Sequence, residues 1–231
     1  MYSNSIVLLP EKNHLYSLIL LHPMCCDSMF FDNFINFFKK KYYKYFKHIK
    51  FIIPNADKMD INYPEKNLYN VYSWYNYYTC YDGINKIDKI NIDDFSNNTK
   101  KIVRIIKNEY KIINNYKNIF LYGVSQGGTL TFNILKHLSK NIGALFISKS
   151  IYMKKYINLN INKETPIYIY TGLNDQIYNV EFQKKLIKYL EYKSYKIKWL
   201  IEKNIDHFIE SYNEYNFIIK NLIININNQN N

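Results

Sequence analysis

The chain has 231 residues, of which 48% are hydrophobic, so it can bury a sizeable core and does not have the composition of a disordered protein. The formal net charge of +12 comes almost entirely from lysines spread along the chain, and Arg104 is the single arginine. This pattern argues against nucleic-acid binding and favours a solvated lysine surface, with weak contact to an anionic membrane surface as the alternative. The apolar runs are too short for a membrane span, and three cysteines make no disulfide framework, so we expect a cytoplasmic protein.

Strand-like and helix-like segments alternate along the chain, which predicts one domain over residues 1–231 with a mostly parallel sheet covered by helices. The predicted strands are short apolar runs, at residues 15–21, 51–53, 118–122, 142–148, 166–170 and 195–201. The predicted helices are amphipathic segments, at residues 27–50, 93–110, 126–140, 180–192 and 208–224. Residues 55–92 follow neither period and are predicted to form a long functional loop, and the tail after residue 226 is predicted to fray.

Three of the six glycines fall within residues 123–128, whose sequence is Gly-Val-Ser-Gln-Gly-Gly. This G-x-S-x-G pattern lies between a predicted strand and a predicted helix, which is the setting of a nucleophile elbow. The glycines permit a turn so sharp that a Cβ would clash with the neighbouring strand or helix. We therefore predict that Ser125 is a nucleophile, the alternative being an ordinary glycine-rich turn with a serine cap.

A serine nucleophile needs a histidine base and an acid that orients the histidine, in the chain order Ser, Asp or Glu, His for this type of turn. His207 follows the last predicted strand and is the predicted base, whereas His137 lies about 18 Å along the helix after Ser125. Asp175 follows the strand at residues 166–170 and is the predicted acid. Asp206 is the less favoured alternative, because the side chains of adjacent residues rarely face each other.

The oxyanion hole is expected to use two backbone N–H groups, one from Gln126 and one from the loop after the first predicted strand. Pro23 has no N–H, so the second donor is predicted to be Met24. His22 is predicted to brace this loop by hydrogen bonding, and a role as a second base is the alternative. Cys25 and Cys26 are predicted to be buried thiols, with metal binding or a strained vicinal disulfide as alternatives.

Over about residues 15–225 the sequence resembles the acyl-protein thioesterase, or phospholipase/carboxylesterase, family of α/β hydrolases. The resemblance lies in short motifs: the strand and HGL-like loop at 19–24, the proline–alanine segment at 54–56, the Ser-Trp-Tyr motif at 73–75, the elbow at 123–128, and the HGxxD-like and GH-like segments at 170–175 and 206–207. It implies a single-domain α/β-hydrolase fold with helices on both faces of the sheet and no large cap domain.

The resemblance also implies roles for individual residues: Ser125, Asp175 and His207 as the catalytic triad, Met24 and Gln126 as oxyanion donors, and Trp74 beside the acyl channel. It implies hydrolysis of a fatty-acylated substrate, such as an S-acylated protein or a lysophospholipid, without a cofactor or metal. The alternatives are a small-molecule carboxylesterase and a catalytically silent hydrolase-fold protein that binds a ligand.

The sequence departs from the family pattern at four positions. Pro23 replaces a glycine and stiffens the predicted oxyanion loop, and Lys149 replaces a small residue after the strand at 142–148. Asn76 stands where aspartate is usual, and Asp206 stands where glycine is usual. Each departure leaves the predicted catalytic groups in place, so together they bear on substrate preference.

Overall fold

The computed structural model describes residues 5–62, 67–79 and 86–229. Within these residues the chain forms nine strands: β1 (Ser5–Leu8), β2 (Tyr16–Leu21), β3 (Ile49–Pro54), β4 (Lys58–Asn62), β5 (Asn67–Tyr72), β6 (Ile119–Val124), β7 (Ala144–Ser148), β8 (Ile167–Gly172) and β9 (Ile197–Glu202). The helices are α1 (Asp32–Lys41), α2 (Tyr43–Phe46), α3 (Ile92–Ile113), α4 (Gln126–Lys136), α5 (Val180–Tyr192) and α6 (Tyr212–Asn227). No helix in the described part of the chain is long and apolar enough to cross a membrane.

Seven of the strands form one sheet in the order β1-β3-β2-β6-β7-β8-β9. Only β1 runs antiparallel to its neighbour, whereas β3, β2, β6, β7, β8 and β9 are parallel. The predicted α/β class with a mostly parallel sheet is therefore confirmed. Because the strands are parallel, the loops after β2, β6, β7, β8 and β9 all leave from the same edge of the sheet.

Each central strand is buried on both faces, which explains why it reads as a continuous apolar run. In β2, Ile19 and Leu21 pack into the core beneath α3, α4 and α5, whereas Leu18 and Leu20 pack into the core beneath α1 and α6. This alternation is the two-residue period of a strand. The helices therefore cover both faces of the sheet, as the sequence predicts.

The segment predicted as one helix over residues 27–50 is divided in the structure. Asp27 accepts a hydrogen bond from Met29 N at the start of a short 3-10 turn, and α1 begins directly after that turn. Tyr42 has φ −134° and separates α1 from α2, after which β3 starts. Neither glycine nor proline marks these breaks, so the sequence carries no local signal for them.

The segment predicted as a long functional loop, residues 55–92, contains two strands in its first part. Strands β4 and β5 pair there as an antiparallel hairpin outside the main sheet. Of the residues in the two strands β4 and β5, only Ile61 is fully buried, so their hydrophobic alternation is weak and the sequence pattern does not reveal the hairpin. Residues 63–66 and 80–85 lie outside the described residues.

Candidate active site

Ser125 lies at the sharp turn between β6 and α4, with φ 53° and ψ −117°. This left-handed backbone is uncommon for a residue with a side chain and is maintained by close packing around the turn. A Cβ on Gly123 would lie 2.5 Å from the carbonyl oxygen of Gly127, and a Cβ on Gly127 would lie 2.3 Å from that of Leu21. The two glycines therefore allow α4 to approach β2 and β6 closely enough to hold the turn.

Ser125, His207 and Asp175 form one continuous chain of hydrogen bonds. Ser125 Oγ lies 2.9 Å from His207 Nε2, and His207 Nδ1 lies 2.9 Å from Asp175 Oδ2 and 3.1 Å from Oδ1. The carboxylate beside Nδ1 favours the imidazole form that carries its proton on Nδ1. Nε2 is then free to accept the hydroxyl proton of Ser125.

The two candidate acids occupy different positions around His207. Asp175 is buried, and its Oδ1 also accepts the backbone N–H groups of Ile177 and Tyr178 at 2.9 and 2.8 Å. Asp206 Oδ1 instead accepts the backbone N–H groups of Phe208 and Ile209 at 2.7 and 2.8 Å. The side chain of Asp206 therefore holds the loop after His207, and Asp175 is the carboxylate in contact with the imidazole.

The two predicted oxyanion donors lie on the same cavity as Ser125. Gln126 is the first residue of α4, so its N–H has no acceptor within the helix and lies at the positive end of the helix dipole. Met24 belongs to the loop after β2, where the next residue, Cys25, donates its N–H to Tyr72 O at 2.9 Å. The β4–β5 hairpin thus supports the loop that carries Met24.

His22 is fully buried and makes a hydrogen bond with each ring nitrogen. Nε2 accepts the N–H of Ala56 at 3.0 Å, so the proton is on Nδ1, which donates to Pro23 O at 2.7 Å. Burial lowers the pKa of the His22 imidazole from 6.5 to about 4, because the interior destabilises the charged form. These contacts fit the predicted bracing role, and the ring has no contact with Ser125 among those the structure records.

Trp74, predicted beside an acyl channel, is not among the residues that line the cavity next to Ser125, so the Ser-Trp-Tyr motif has another place in the structure. The side chain is 1% exposed, its ring packs 4.8 Å from the ring of His22, and its Nε1 donates to His22 O at 2.8 Å. The Trp74 N–H donates to Gln126 Oε1 at 2.7 Å, and Gln126 Nε2 donates to Tyr75 O at 2.8 Å. The motif therefore ties the loop after β2 to the first residue of α4, behind the cavity.

A cavity of about 410 Å³ adjoins Ser125 and His207. This is within the range of roughly 300–1,000 Å³ that is usual for small-molecule sites. Much of its wall is apolar, including Met24, Phe30, Phe31, Phe34, Ile177 and Phe208. The arrangement can hold an apolar group next to the hydroxyl of Ser125.

Sequence reasoning missed a buried ion pair on the wall of this cavity. Lys149 follows β7, and Glu214 is in the first turn of α6. Lys149 Nζ lies 3.4 Å from Glu214 Oε2, and both side chains are 5% exposed. The sequence marks Lys149 only as a departure from the family pattern, and it has no signal that brings Glu214 to the same place.

The cysteines of the loop after β2 are more accessible than predicted. Cys25 is exposed and Cys26 is partly buried, and both residues line the cavity. The prediction of buried thiols is therefore wrong for Cys25. Burial raises the pKa of the Cys26 thiol, which disfavours its reactive thiolate form.

Comparison with known proteins identifies the family of this chain. The chain matches the family model described as phospholipase/carboxylesterase over residues 3–220, and it belongs to this family of α/β hydrolases. A comparison with curated protein sequences finds no match.

Solved structures with the same fold include plant and bacterial proteins. They include Arabidopsis thaliana SOBER1 (TM-score 0.74, 17% identity, 91% of this chain and 99% of that chain covered). Bacillus cereus carboxylesterase has a TM-score of 0.75 and 12% identity, with 96% and 93% covered. Zea mays acyl-protein thioesterase 2 has a TM-score of 0.75 and 11% identity, with 97% and 100% covered. The identities are low, so these likenesses concern the fold, and the family indicates hydrolase activity of the esterase type.

The pKa of His22 predicts a pH-dependent loss of stability. The unfolded chain binds the His22 proton with a pKa near 6.5 and the folded chain with a pKa of about 4, so the free energy of unfolding falls as the pH drops through this window. The His22 contribution to that fall is about 3 kcal/mol. Denaturant unfolding of the wild type and of His22→Gln from pH 7 to pH 4 measures it, because the glutamine amide reaches the position of Nε2, keeps an acceptor for the Ala56 N–H and does not titrate. Equal pH slopes in the two proteins would contradict the assignment.

Proposed function

We propose that this protein is a serine hydrolase that cleaves carboxylic ester or thioester bonds through an acyl-enzyme on Ser125. The observation that carries the proposal is the hydrogen-bonded series Ser125–His207–Asp175, next to a cavity that Met24 and Gln126 also line. A serine hydroxyl is a weak nucleophile at neutral pH, and such a series is the arrangement that activates it.

In the acylation step Ser125 Oγ forms a bond to the substrate carbonyl carbon while its proton passes to His207 Nε2. The carbonyl electron pair moves onto the oxygen, and the N–H groups of Met24 and Gln126 stabilise this oxyanion. Asp175 stabilises the imidazolium. The tetrahedral intermediate then expels the alcohol or thiol, which takes the proton from His207.

In the deacylation step water replaces the departed alcohol or thiol. His207 Nε2 accepts a proton from the water as its oxygen attacks the acyl carbon, and the same two N–H groups bind the second oxyanion. Collapse returns the proton to Ser125 Oγ and releases the carboxylic acid. The chemistry requires no cofactor and no metal.

The substrate we propose carries a fatty acyl group, as in an S-acylated protein or a lysophospholipid. The apolar wall of the cavity supports this choice, since apolar surface favours an acyl chain over a polar substituent. The family description and the thioesterase name of the Zea mays structure point in the same direction. We further propose that the enzyme works in the cytoplasm and that its lysines favour weak contact with anionic membranes.

The first prediction concerns the proposed nucleophile and base. Treatment with a serine-directed fluorophosphonate should modify one peptide, which contains Ser125, as measured by mass spectrometry. Ser125→Ala and His207→Ala should each lower kcat by roughly 10⁴–10⁶, and the double variant should lose little more, because the residues act as a unit. Undiminished turnover in Ser125→Ala would end the proposal.

The second prediction separates the two aspartates. In Asp175→Asn a carboxylate oxygen becomes an amide N–H₂ group, which conflicts with the Nδ1–H of His207 or with the N–H of Tyr178. The imidazole then turns or shifts its proton to Nε2, and kcat should fall by about 10⁴. Asp206→Asn is the matched control and should cost less than about tenfold, because its amide oxygen still accepts from Phe208 and Ile209. If Asp206→Asn were the more damaging change, Asp175 would not be the acid.

The third prediction concerns the acyl group. With a constant leaving group, kcat/KM should rise ten- to a thousandfold from two to about eight acyl carbons, because each buried methylene contributes at most about 0.8 kcal/mol. Trp74→Ala should lower kcat/KM by a similar factor for acetyl and octanoyl esters, because Trp74 lies behind the loop of Met24. A flat or falling profile in the wild type would favour the small-molecule carboxylesterase.

A further inference from the structure

The ion pair between Lys149 and Glu214 adds a buried charged group to a cavity wall that is largely apolar. Both residues line the same cavity as Ser125. The backbone of Lys149 is close to the proposed nucleophile, since the preceding residue, Ser148, accepts the N–H of Ser125 at 2.9 Å. An acyl group bound at Ser125 therefore shares its cavity with a buried ammonium group.

The partners of the ammonium account for two of its three N–H groups. Lys149 Nζ donates to Ile209 O and faces Glu214 Oε2 at 3.4 Å. Glu214 Oε1 accepts the hydroxyl proton of Tyr122 at 2.9 Å. A lysine ammonium has three donors, so among the described residues one N–H of Lys149 remains for an acceptor in the cavity.

Lys149 has an unusual backbone conformation, and Glu214 has an unusual side-chain contact for its position in a helix. Lys149 has φ 49°, a left-handed conformation that is uncommon for a residue with a side chain. Glu214 is the third residue of α6 after the capping Ser211, a spacing at which glutamate often turns back to the N-terminus of its own helix. Here the carboxylate instead contacts Lys149 and Tyr122. Burying two charges costs solvation free energy, so a hydrophobic pair of similar size would serve a purely apolar cavity better.

We propose that Lys149 is a specificity-determining residue, whose ammonium donates a hydrogen bond to a neutral ketone or hydroxyl oxygen carried by the acyl chain of the substrate. The proposal rests on the proposed function. Such an oxygen accepts the remaining N–H of Lys149. A plain alkyl chain would displace water from this N–H without providing an acceptor, which costs binding free energy. A carboxylate is a poorer occupant, because Glu214 already neutralises Lys149 and Glu210 also lines the cavity.

The experiment compares octanoyl esters with 4-oxo-, 5-oxo- and 6-oxooctanoyl esters of the same alcohol. Each kcat/KM is divided by the hydroxide-catalysed hydrolysis rate of that ester, which removes the intrinsic effect of the ketone. In the wild type at least one oxo position should be favoured over octanoyl by about tenfold or more, since hydrogen bonds to charged groups are among the stronger ones. In the double variant Lys149→Met/Glu214→Gln, which leaves no unpaired charge, this ratio should fall to about one. Lys140→Met, at an exposed lysine away from the cavity, should keep the wild-type ratio.

The ratio distinguishes specificity from a purely structural role. Lys149 also holds Ile209, two residues after His207, so a positioning role alone would lower the rates on all esters and leave the ratio unchanged. An unchanged ratio in the double variant would overturn the proposal. A wild type that favours no oxo ester would also overturn it, and this second result does not depend on whether the variant folds. If the wild type hydrolysed none of the esters, the proposed function itself would fail.

Discussion

The close approach of α4 to the end of β2 is the packing constraint on which the candidate site depends. Gly127 lies so close to the carbonyl of Leu21 that no larger residue fits there without moving the helix or the strand. This contact places the N-terminus of α4 beside the loop that follows β2, and it keeps the backbone of Ser125 in its left-handed conformation. This contact between backbones and the hydrogen bonds from Trp74 to His22 and Gln126 together hold the proposed nucleophile and both proposed oxyanion donors near one another.

The proposed acid and base come to Ser125 because parallel strands end at a common edge. Asp175 follows β8 and His207 follows β9, so both reach the edge at which β6 ends. Short side chains suffice at this edge, and backbone N–H groups of the same loops hold each aspartate. The parallel sheet brings the three loops to the same edge, and the loops set the distances of about 3 Å between the interacting atoms.

Sequence reasoning predicted what depends on local pattern or on chain order. Buried parallel strands are continuous apolar runs, a glycine-rich turn between a strand and a helix marks the elbow, and the order of Ser125, Asp175 and His207 along the chain selects candidates that the structure brings together. It missed what depends on contacts distant in sequence or on weak patterns. The β4–β5 hairpin has little apolar alternation, and the position of Trp74 is set by its contacts with His22 and Gln126. Lys149 and Glu214 lie 65 positions apart, and no sequence pattern links them.

Pro23 is the departure that bears most directly on the proposed oxyanion hole, and its surroundings explain how the chain accommodates it. Glycine at this position gives a loop freedom to adjust, whereas proline fixes φ and removes an N–H. Here the carbonyl of Pro23 accepts from His22 Nδ1 at 2.7 Å and from Cys26 N at 3.3 Å, so both ends of the turn are fixed around it. His22 is held in turn by Ala56 and Trp74. In this chain the contacts of His22 and Pro23 therefore hold the backbone before Met24 rigidly, and the fixed φ of proline adds to that rigidity.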